Sequence, residues 1–175
     1  MINKVLPRYN VIVRKSVNLS KASHIIASNI DQAILVATIA QPRTSTGFID
    51  RFLVTAEAYH IPTIIVFNKC DLYDEEQMSH AKELIDVFEN IGYHSFMLSA
   101  ETGFQCDELK EIMKDKVSLF SGHSGVGKSA LINRLDSNLN VRVGDISDVH
   151  EKGKHTTTFS QMFPLSFGGY IIDSP

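Results

Sequence analysis

The segment from residue 122 to residue 129 constrains the fold of this chain more than any other part of its sequence. It reads Gly-His-Ser-Gly-Val-Gly-Lys-Ser and fits the pattern G-x-x-x-x-G-K-[ST]. That pattern is informative only where it lies between a strand and a helix. Both are predicted here, a strand over residues 117–120 and a helix from Lys128 to about Leu135. Glycines let backbone N–H groups converge on a phosphate, and the helix N-terminus adds a partial positive charge. The segment therefore predicts a phosphate-binding loop in an α/β domain.

The residue types of this loop predict what its side chains do. Lys128 should reach the β- and γ-phosphates of a nucleotide, which makes it a candidate catalytic residue within the phosphate clamp. The Ser129 hydroxyl should bind Mg²⁺. The pattern indicates nucleotide phosphates without saying which base is bound. The predicted nucleotide-binding residues of the loop are Gly122, His123, Ser124, Gly125, Val126, Gly127, Lys128, Ser129 and Ala130.

A second motif, Asn68-Lys-Cys-Asp71, follows a predicted buried strand and predicts the base. The carboxylate of Asp71 can accept hydrogen bonds from N1–H and the 2-amino group of guanine, whereas adenine lacks both donors. Asn68 can bond the N7 side of guanine and tie loops together, and the Lys69 stem can lie over the base plane. One strand later, Ser99 and Ala100 are candidates to supply a backbone N–H to guanine O6. The two motifs together favour a guanine nucleotide.

Alternating strand and helix patterns predict an α/β fold with a mostly parallel sheet and helices on both faces. Continuous apolar runs indicate strands that are buried on both faces. Asp74 with Gln77 predicts a capping box at the start of a helix that ends at Gly92. The predicted strands cover residues 33–40, 63–67, 95–98 and 117–120, and a hairpin pairs residues 159–167 with 170–172 around Gly168–Gly169.

Residues 136–158 are polar, lack a clear period and predict a long loop. Loops of this length in a compact domain are usually functional or disordered. Residues 156–158 are three threonines, which offer a hydroxyl to Mg²⁺ and to a γ-phosphate. Asp173-Ser-Pro175 follows a predicted strand and matches the start of the pattern D-x-P-G. Both segments are therefore candidates for the phosphate end of the site.

These are the motifs of a small GTPase in rotated order, because Asn68 precedes Gly122 whereas most GTPases carry the phosphate-binding loop first. The chain resembles the circularly permuted GTPases, with motif order G4-G5-G1-G2-G3, and among them the ribosome small-subunit-dependent GTPase family of bacteria. Permuted GTPases of large-subunit assembly usually show proline–asparagine where this chain has Ser124-Gly125. The resemblance covers nearly the whole chain and rests on residues 29–32, 68–71, 122–129, 153–158 and 173–175.

The resemblance implies a P-loop NTPase fold and a GTP-hydrolysing switch in small (30S) subunit maturation, with GTP or GDP and Mg²⁺ as cofactors. The small subunit and its rRNA are the implied partners, and the subunit stimulates hydrolysis. Ser129, Thr157 and, through water, Asp173 are the implied Mg²⁺ ligands, and Thr157 is also a candidate catalytic residue. The family carries an apolar residue where many GTPases place a water-orienting glutamine. His155 is therefore the candidate to orient the attacking water, with His123 as its rival.

Three other functions stay open on the sequence. A P-loop kinase or ATPase is one, although the motif at residues 68–71 counts against it. A GTP-binding module with little hydrolysis of its own is another, because only part of the G3 motif is present. A permuted GTPase of large-subunit assembly is the third.

The family normally has an OB-fold before the GTPase domain and a zinc-binding domain after it. Residues 1–22 match only the tail of the first, and residues 23–175 match a permuted GTPase domain that ends within the G3 motif. The sequence contains no Cys/His cluster for the second, so zinc is expected only in that missing domain.

The sequence predicts a cytoplasmic protein, and a monomer is expected. The sequence has no apolar run long enough to span a membrane and no signal peptide, and its two cysteines, Cys70 and Cys106, are expected to be reduced thiols. The net charge of −3 does not indicate nucleic-acid binding. The basic residues that precede the first acidic residue are nevertheless Lys4, Arg8, Arg14, Lys15 and Lys21. They indicate either a solvated strand surface or an edge that meets RNA.

Overall fold

The computed structural model of the chain describes residues 7–15, 23–139, 141 and 160–173. Strands and helices alternate through most of these residues, as the sequence predicts. The strands are β1 (Val11–Lys15), β2 (Ser23–Ser28), β3 (Gln32–Ala37), β4 (Thr63–Phe67), β5 (Ser95–Met97), β6 (Val117–Ser121), β7 (Gln161–Pro164) and β8 (Tyr170–Asp173). The α-helices are α1 (Thr46–Ala58), α2 (Glu75–Asn90), α3 (Cys106–Met113) and α4 (Lys128–Leu135).

Six of these strands form one sheet in the order β5-β4-β3-β6-β8-β7. The first five strands in this order run parallel to one another, and only β7 is antiparallel to its neighbour. This confirms the predicted mostly parallel α/β sheet. Because parallel strands end at the same edge of a sheet, the loops that follow β3, β4, β5 and β6 meet along one edge, where β8 also ends.

Successive residues of the sheet face two different cores, as the two-residue period of a strand requires. On one face, Ile34, Val36 and Phe120 pack with α3 and α4. On the other face, Leu35 and Ala37 pack with α1 and α2. Helices therefore cover both faces, as predicted. Every residue of β3 and β4 is buried, which explains the continuous apolar sequences of these strands.

Helix α2 begins with the predicted capping box, in which the Asp74 side chain accepts from the Gln77 N–H and the Gln77 side chain accepts from the Asp74 N–H. Gly92 follows its last turn with a φ of 97°, a conformation that favours glycine. Both signals identified from the sequence are confirmed.

Two predicted strands extend about three residues too far. Strand β3 ends at Ala37 and not at Ala40, because the next backbone groups bond within a loop: the Thr38 N–H donates to Thr44 Oγ1 and the Thr44 N–H to Thr38 O. Strand β7 ends at Pro164, because the following segment turns back through hydrogen bonds between Leu165 and residues 168 and 169.

Strand β2 was not expected from the sequence. It pairs antiparallel with β1 and carries Ala27 into a core with Ile12 and with residues of the large sheet. The side chain of Asn10 joins this hairpin to the sheet, because it bonds both the N–H and the carbonyl of Ile30. The predicted domain boundary between residues 22 and 23 falls inside the hairpin, and the division into an OB-like remnant and a GTPase domain stays a prediction.

Candidate nucleotide-binding site

The predicted phosphate-binding loop lies between β6 and α4, at the edge where the parallel strands end. Val126 is buried in the core under the loop, whereas His123, Ser124 and Gly125 are exposed. Gly122 has a φ of 150°, and a Cβ there would lie 2.2 Å from the Val36 carbonyl oxygen. Only glycine lets the chain leave β6 this close to β3. The backbone at the tip of the loop is therefore open toward a ligand.

The Lys128 side chain lies across this loop. Its Nζ donates to the carbonyl of Gly122 at 2.7 Å and to that of His123 at 3.1 Å. Burial lowers the pKa of Lys128, and the nearby carboxylate of Asp173 acts in the opposite direction. The ammonium is already placed at the loop that would cradle phosphates, and it must exchange a carbonyl for a phosphate oxygen to bind one.

Asp173 ends β8, beside Phe120 of β6 and next to the loop. Its Oδ1 is buried and has no hydrogen-bond partner among the described residues. Burial raises the pKa of Asp173 to about 6, although Lys128 acts to lower it. A buried, unpaired carboxylate oxygen is costly unless a cation or a bound water approaches it.

This geometry fits a magnesium ion. Mg²⁺ prefers oxygen ligands, keeps several waters and is bound in nucleotide sites through one or two side chains plus phosphates. Ser129 is the second residue of α4 and offers a hydroxyl from the helix N-terminus. Asp173 supplies the unpaired oxygen on the neighbouring strand. The predicted ligands Ser129 and Asp173 are therefore residues that could hold the ion, one directly and one through water.

The Asn68 side chain joins the phosphate-binding loop to the predicted base-binding loop. Asn68 is buried, its Nδ2 donates to Val126 O at 2.8 Å, and its Oδ1 accepts from the Ala100 N–H at 3.1 Å. The contact with the loop is close, because a Cβ on Gly127 would lie 2.5 Å from Asn68 Nδ2. One amide thus holds both ends of a nucleotide site in register, as expected of a residue that ties loops together.

Lys69 makes a second tie to the same loop. Its backbone is left-handed, with a φ of 66°, and its Nζ donates to Gln41 O at 2.7 Å and to Gly125 O at 2.8 Å. The side chain therefore extends along the opening above the loop. Asp71 follows in a short 3₁₀ helix, Cys70–Leu72, and is exposed at the surface. This arrangement leaves the Asp71 carboxylate accessible to a base.

Ser99 and Ala100 follow β5, as predicted, but their N–H groups are engaged within the chain. The Ser99 N–H donates to Phe104 O at 3.1 Å, and the Ala100 N–H donates to Asn68 Oδ1. For Ala100 to serve guanine O6, its N–H must share or leave the bond to Asn68. The contact with O6 stays a prediction.

Sequence reasoning missed the loop of residues 38–45, which follows β3 and closes one side of the site. Gln41 accepts from Lys69, and the Pro42 ring lies against Gly125, where a Cβ would meet Pro42 Cδ at 3.4 Å. At the start of α1, the Phe48 ring contacts the His123 ring with centroids 3.9 Å apart. Pro42 was the available signal, because proline interrupts strands.

Several predicted residues lie outside the described part of the chain: His155, Thr157, the rest of the threonine run and residues 174 and 175. Their roles stay predictions. Within the described residues, no group of three or more His, Cys, Asp or Glu side chains could hold a metal ion. None of the helices in the described ranges has the length and apolarity that a membrane crossing needs.

Known proteins include a family, relatives and solved structures that are similar to this chain. The sequence model of the RsgA GTPase family matches residues 5–175. Similar relatives named small ribosomal subunit biogenesis GTPase RsgA occur in Bacteroides fragilis, with 54% identity over 99% of this chain and 56% of the relative, and in Flavobacterium psychrophilum, with 52% identity over 99% of this chain and 53% of the relative.

Two solved structures have the same fold. YjeQ from Thermotoga maritima is 39% identical with a TM-score of 0.78, and the match covers 99% of this chain and 54% of YjeQ. YloQ, described as a circularly permuted GTPase, is 26% identical with a TM-score of 0.65, over 99% of this chain and 58% of YloQ. The chain spans a little over half the length of these relatives. It has a circularly permuted P-loop fold and belongs to the RsgA GTPase family.

Proposed function

We propose that the chain binds GTP and GDP and hydrolyses GTP as a switch in maturation of the small ribosomal subunit, with hydrolysis stimulated by that subunit. The observation that carries this proposal is the double hydrogen bond of the Asn68 amide, to Val126 O and from the Ala100 N–H. It joins the predicted base-binding motif to the predicted phosphate-binding loop, which supports a shared nucleotide site. The names of the relatives, small ribosomal subunit biogenesis GTPase, support the biological role.

Recognition of the base falls to Asp71 on this proposal. Its exposed carboxylate would accept from N1–H and the 2-amino group of guanine, and the Lys69 stem would lie over the ring. Asn68 would bond the N7 side. A site built on such hydrogen bonds rejects an analogue that lacks them by up to about 10⁴–10⁵-fold, so adenine nucleotides should bind far more weakly.

Recognition of the phosphates falls to the backbone N–H groups of residues 122–130 and to Lys128. The Lys128 ammonium would turn from the Gly122 and His123 carbonyls toward the β- and γ-phosphate oxygens. When bound, Mg²⁺ neutralises negative charge on those oxygens. Ser129, Thr157 and Asp173 would hold the ion, and binding would relieve the unpaired buried oxygen of Asp173.

Orientation of the attacking water is assigned to His155, which directly precedes the threonine run. A neutral imidazole can accept a hydrogen bond from water. His123 is the rival, but its ring already contacts the Phe48 ring of α1, with centroids 3.9 Å apart. This contact favours His155.

The remaining parts of the proposal concern the whole protein. It would be a cytoplasmic monomer that contacts rRNA through the OB-like and zinc-binding domains of the family, with residues 1–22 the tail of the first and residues 23–175 the GTPase domain. Zinc would belong to the second of those domains.

Nucleotide binding is the first test. Titration with fluorescent GDP and ADP should show a preference for GDP well above tenfold. Asp71→Asn should weaken GDP binding and improve xanthosine diphosphate binding, because the amide can donate to the carbonyl at position 2 of xanthine. Asp107→Asn is the matched control, because the Asp107 side chain is almost fully exposed, with Lys110 3.6 Å away. ADP binding within about tenfold of GDP would contradict the guanine assignment.

Hydrolysis is the second test. Single-turnover GTP cleavage by the intact protein should accelerate when small subunits are added and not when large subunits are added. Tight GTP binding without acceleration by either subunit would instead indicate a GTP-binding module. Acceleration by large subunits alone would indicate a role in their assembly.

A further inference from the structure

Tyr73 lies two residues after the guanine-binding motif and makes contacts that the motif does not require. Its side chain is partly buried, and its hydroxyl donates to the Asn68 carbonyl at 2.6 Å. The same hydroxyl accepts from the Ile39 N–H at 3.1 Å. One phenol therefore joins the end of β4 to the loop that follows β3.

Both partners of this hydroxyl belong to the ligand site. Asn68 is the residue whose amide holds the phosphate-binding loop and the base-binding loop together. Ile39 is the second residue of the loop 38–45, whose Gln41 carbonyl accepts from Lys69. Tyr73 thus joins the segment that carries Asn68 and Lys69 to the loop whose Gln41 carbonyl accepts from Lys69.

The hydroxyl is a permanent donor at physiological pH. Burial raises the pKa of Tyr73 to about 12, with Cys70 and Asp71 adding to the shift and the bond from Ile39 opposing it. The phenol therefore stays protonated at neutral pH and can donate to the Asn68 carbonyl.

We propose that Tyr73 is a positioning residue for guanine-nucleotide binding, because its hydroxyl fixes the backbone of Asn68 against Ile39. The inference rests on the proposed function. Without the hydroxyl, the Asn68 carbonyl and the Ile39 N–H lose their shared partner, and unpaired buried groups shift to reach water. The free site then relaxes, and nucleotide binding must restore the arrangement of Asn68.

The first experiment compares Tyr73→Phe with the unchanged intact protein in GDP binding. We expect an affinity loss of about tenfold, which corresponds to about 1.4 kcal/mol and lies within the cost of unpairing buried polar groups. Tyr93→Phe is the matched control, because it removes a hydroxyl that donates to the side chain of Glu57 at the surface, 3.0 Å away. The control should bind GDP as the unchanged protein does.

A double-mutant cycle with Asn68→Ala separates positioning from a general loss of structure. If Tyr73 acts through Asn68, adding Tyr73→Phe to Asn68→Ala should weaken GDP binding by less than about twofold, because coupled residues are not additive. An undiminished tenfold loss in the Asn68→Ala background would overturn the inference. So would equal GDP affinity of Tyr73→Phe and the unchanged protein.

A second measurement needs no variant. Among the described residues, the Ile39 N–H donates only to Tyr73, so its hydrogen exchange reports this bond. GDP should slow the exchange at Ile39 in the unchanged protein, and exchange that GDP leaves unaltered would count against the inference. The outcomes also separate the two proposals: failure of the unchanged protein to prefer GDP over ADP removes the proposed function, whereas guanine preference with an inert Tyr73→Phe removes only the role of Tyr73.

Discussion

Asp173→Asn should make the metal-free, nucleotide-free protein more stable at neutral pH while impairing its function. The carboxylate is 9% exposed and unpaired at Oδ1 within the described residues, and its pKa is raised from 3.8 to about 6. The Asp173 carboxyl therefore binds a proton more tightly in the folded protein than in the unfolded chain. The free energy of unfolding therefore falls as the pH rises from the unfolded pKa to the folded one, and this loss is complete above about pH 6.

The size of the effect follows from the two pKa values. A difference of about two units corresponds to about 3 kcal/mol of destabilisation at pH 7.5, of which about half is present at pH 5. An uncharged asparagine removes this cost but keeps a similar shape. Asp173→Asn should therefore gain up to about 3 kcal/mol of stability at pH 7.5, and this gain should shrink by about half at pH 5.

Urea denaturation in EDTA at both pH values measures this gain. Asp136→Asn is a control with the opposite sign. Burial acts to raise the pKa of Asp136, but hydrogen bonds from the N–H groups of Ser166 and Asn138 prevail and lower it, so loss of that charge should destabilise the protein at pH 7.5. With Mg²⁺ and GTP present, Asp173→Asn should lose its advantage, because ligands stabilise only the protein that binds them. A metal-free Asp173→Asn protein that is less stable at pH 7.5, by an amount independent of pH, would refute the reasoning.

Three further predictions test the phosphate end of the site. Gly127→Ala should lower stability and GDP affinity, each by about 1–3 kcal/mol, because its Cβ would lie 2.5 Å from Asn68 Nδ2; Gly92→Ala shares the positive φ but meets nothing within 4 Å, and its GDP titration should be unchanged. Lys128→Ala should slow single-turnover GTP cleavage by at least about 10²-fold, and near-normal cleavage would remove Lys128 from the clamp. His155→Ala should lower the subunit-stimulated kcat by at least about tenfold with little change in GTP affinity; unchanged turnover would dismiss its role, and a large loss of affinity would make it structural.

Most of the fold was predictable because its signals are local. Buried parallel strands have continuous apolar sequences, and caps such as Asp74 with Gln77 act within one helical turn. Strand β3 was predicted too long because Ile39 and Ala40 continue its apolar run, whereas the partner of Ile39 is Tyr73, 34 residues away. Strand β2 was missed for a similar reason: its sequence, SHIIAS, shows no clear alternation, and pairing with β1 decides its conformation.

The candidate site was likewise predictable only in part from the sequence. The positions of residues 68–71 after β4 and of residues 122–129 between β6 and α4 were predictable, because each is a short motif next to an apolar strand. The hydrogen bond from Asn68 to Val126 spans 58 residues, and the bond from Lys69 to Gly125 spans 56. Such contacts depend on which strands are neighbours, which short motifs do not determine. The roles of Tyr73 and of the loop 38–45 therefore emerge only from the structure.

The permuted motif order is compatible with a site at one edge of the sheet for a topological reason. Strands β4, β3, β6 and β8 are parallel neighbours, and the loops that would bind base, phosphates and metal all leave the same edge of the sheet. A site assembled from strand ends depends on the lateral order of the strands and not on the order in which the chain visits them. Strand β4, which precedes the predicted base-binding motif, can therefore come before β6, which precedes the predicted phosphate-binding loop. Because these loops are distant in sequence, side chains tie them together, as Asn68 and Lys69 do at the predicted phosphate-binding loop.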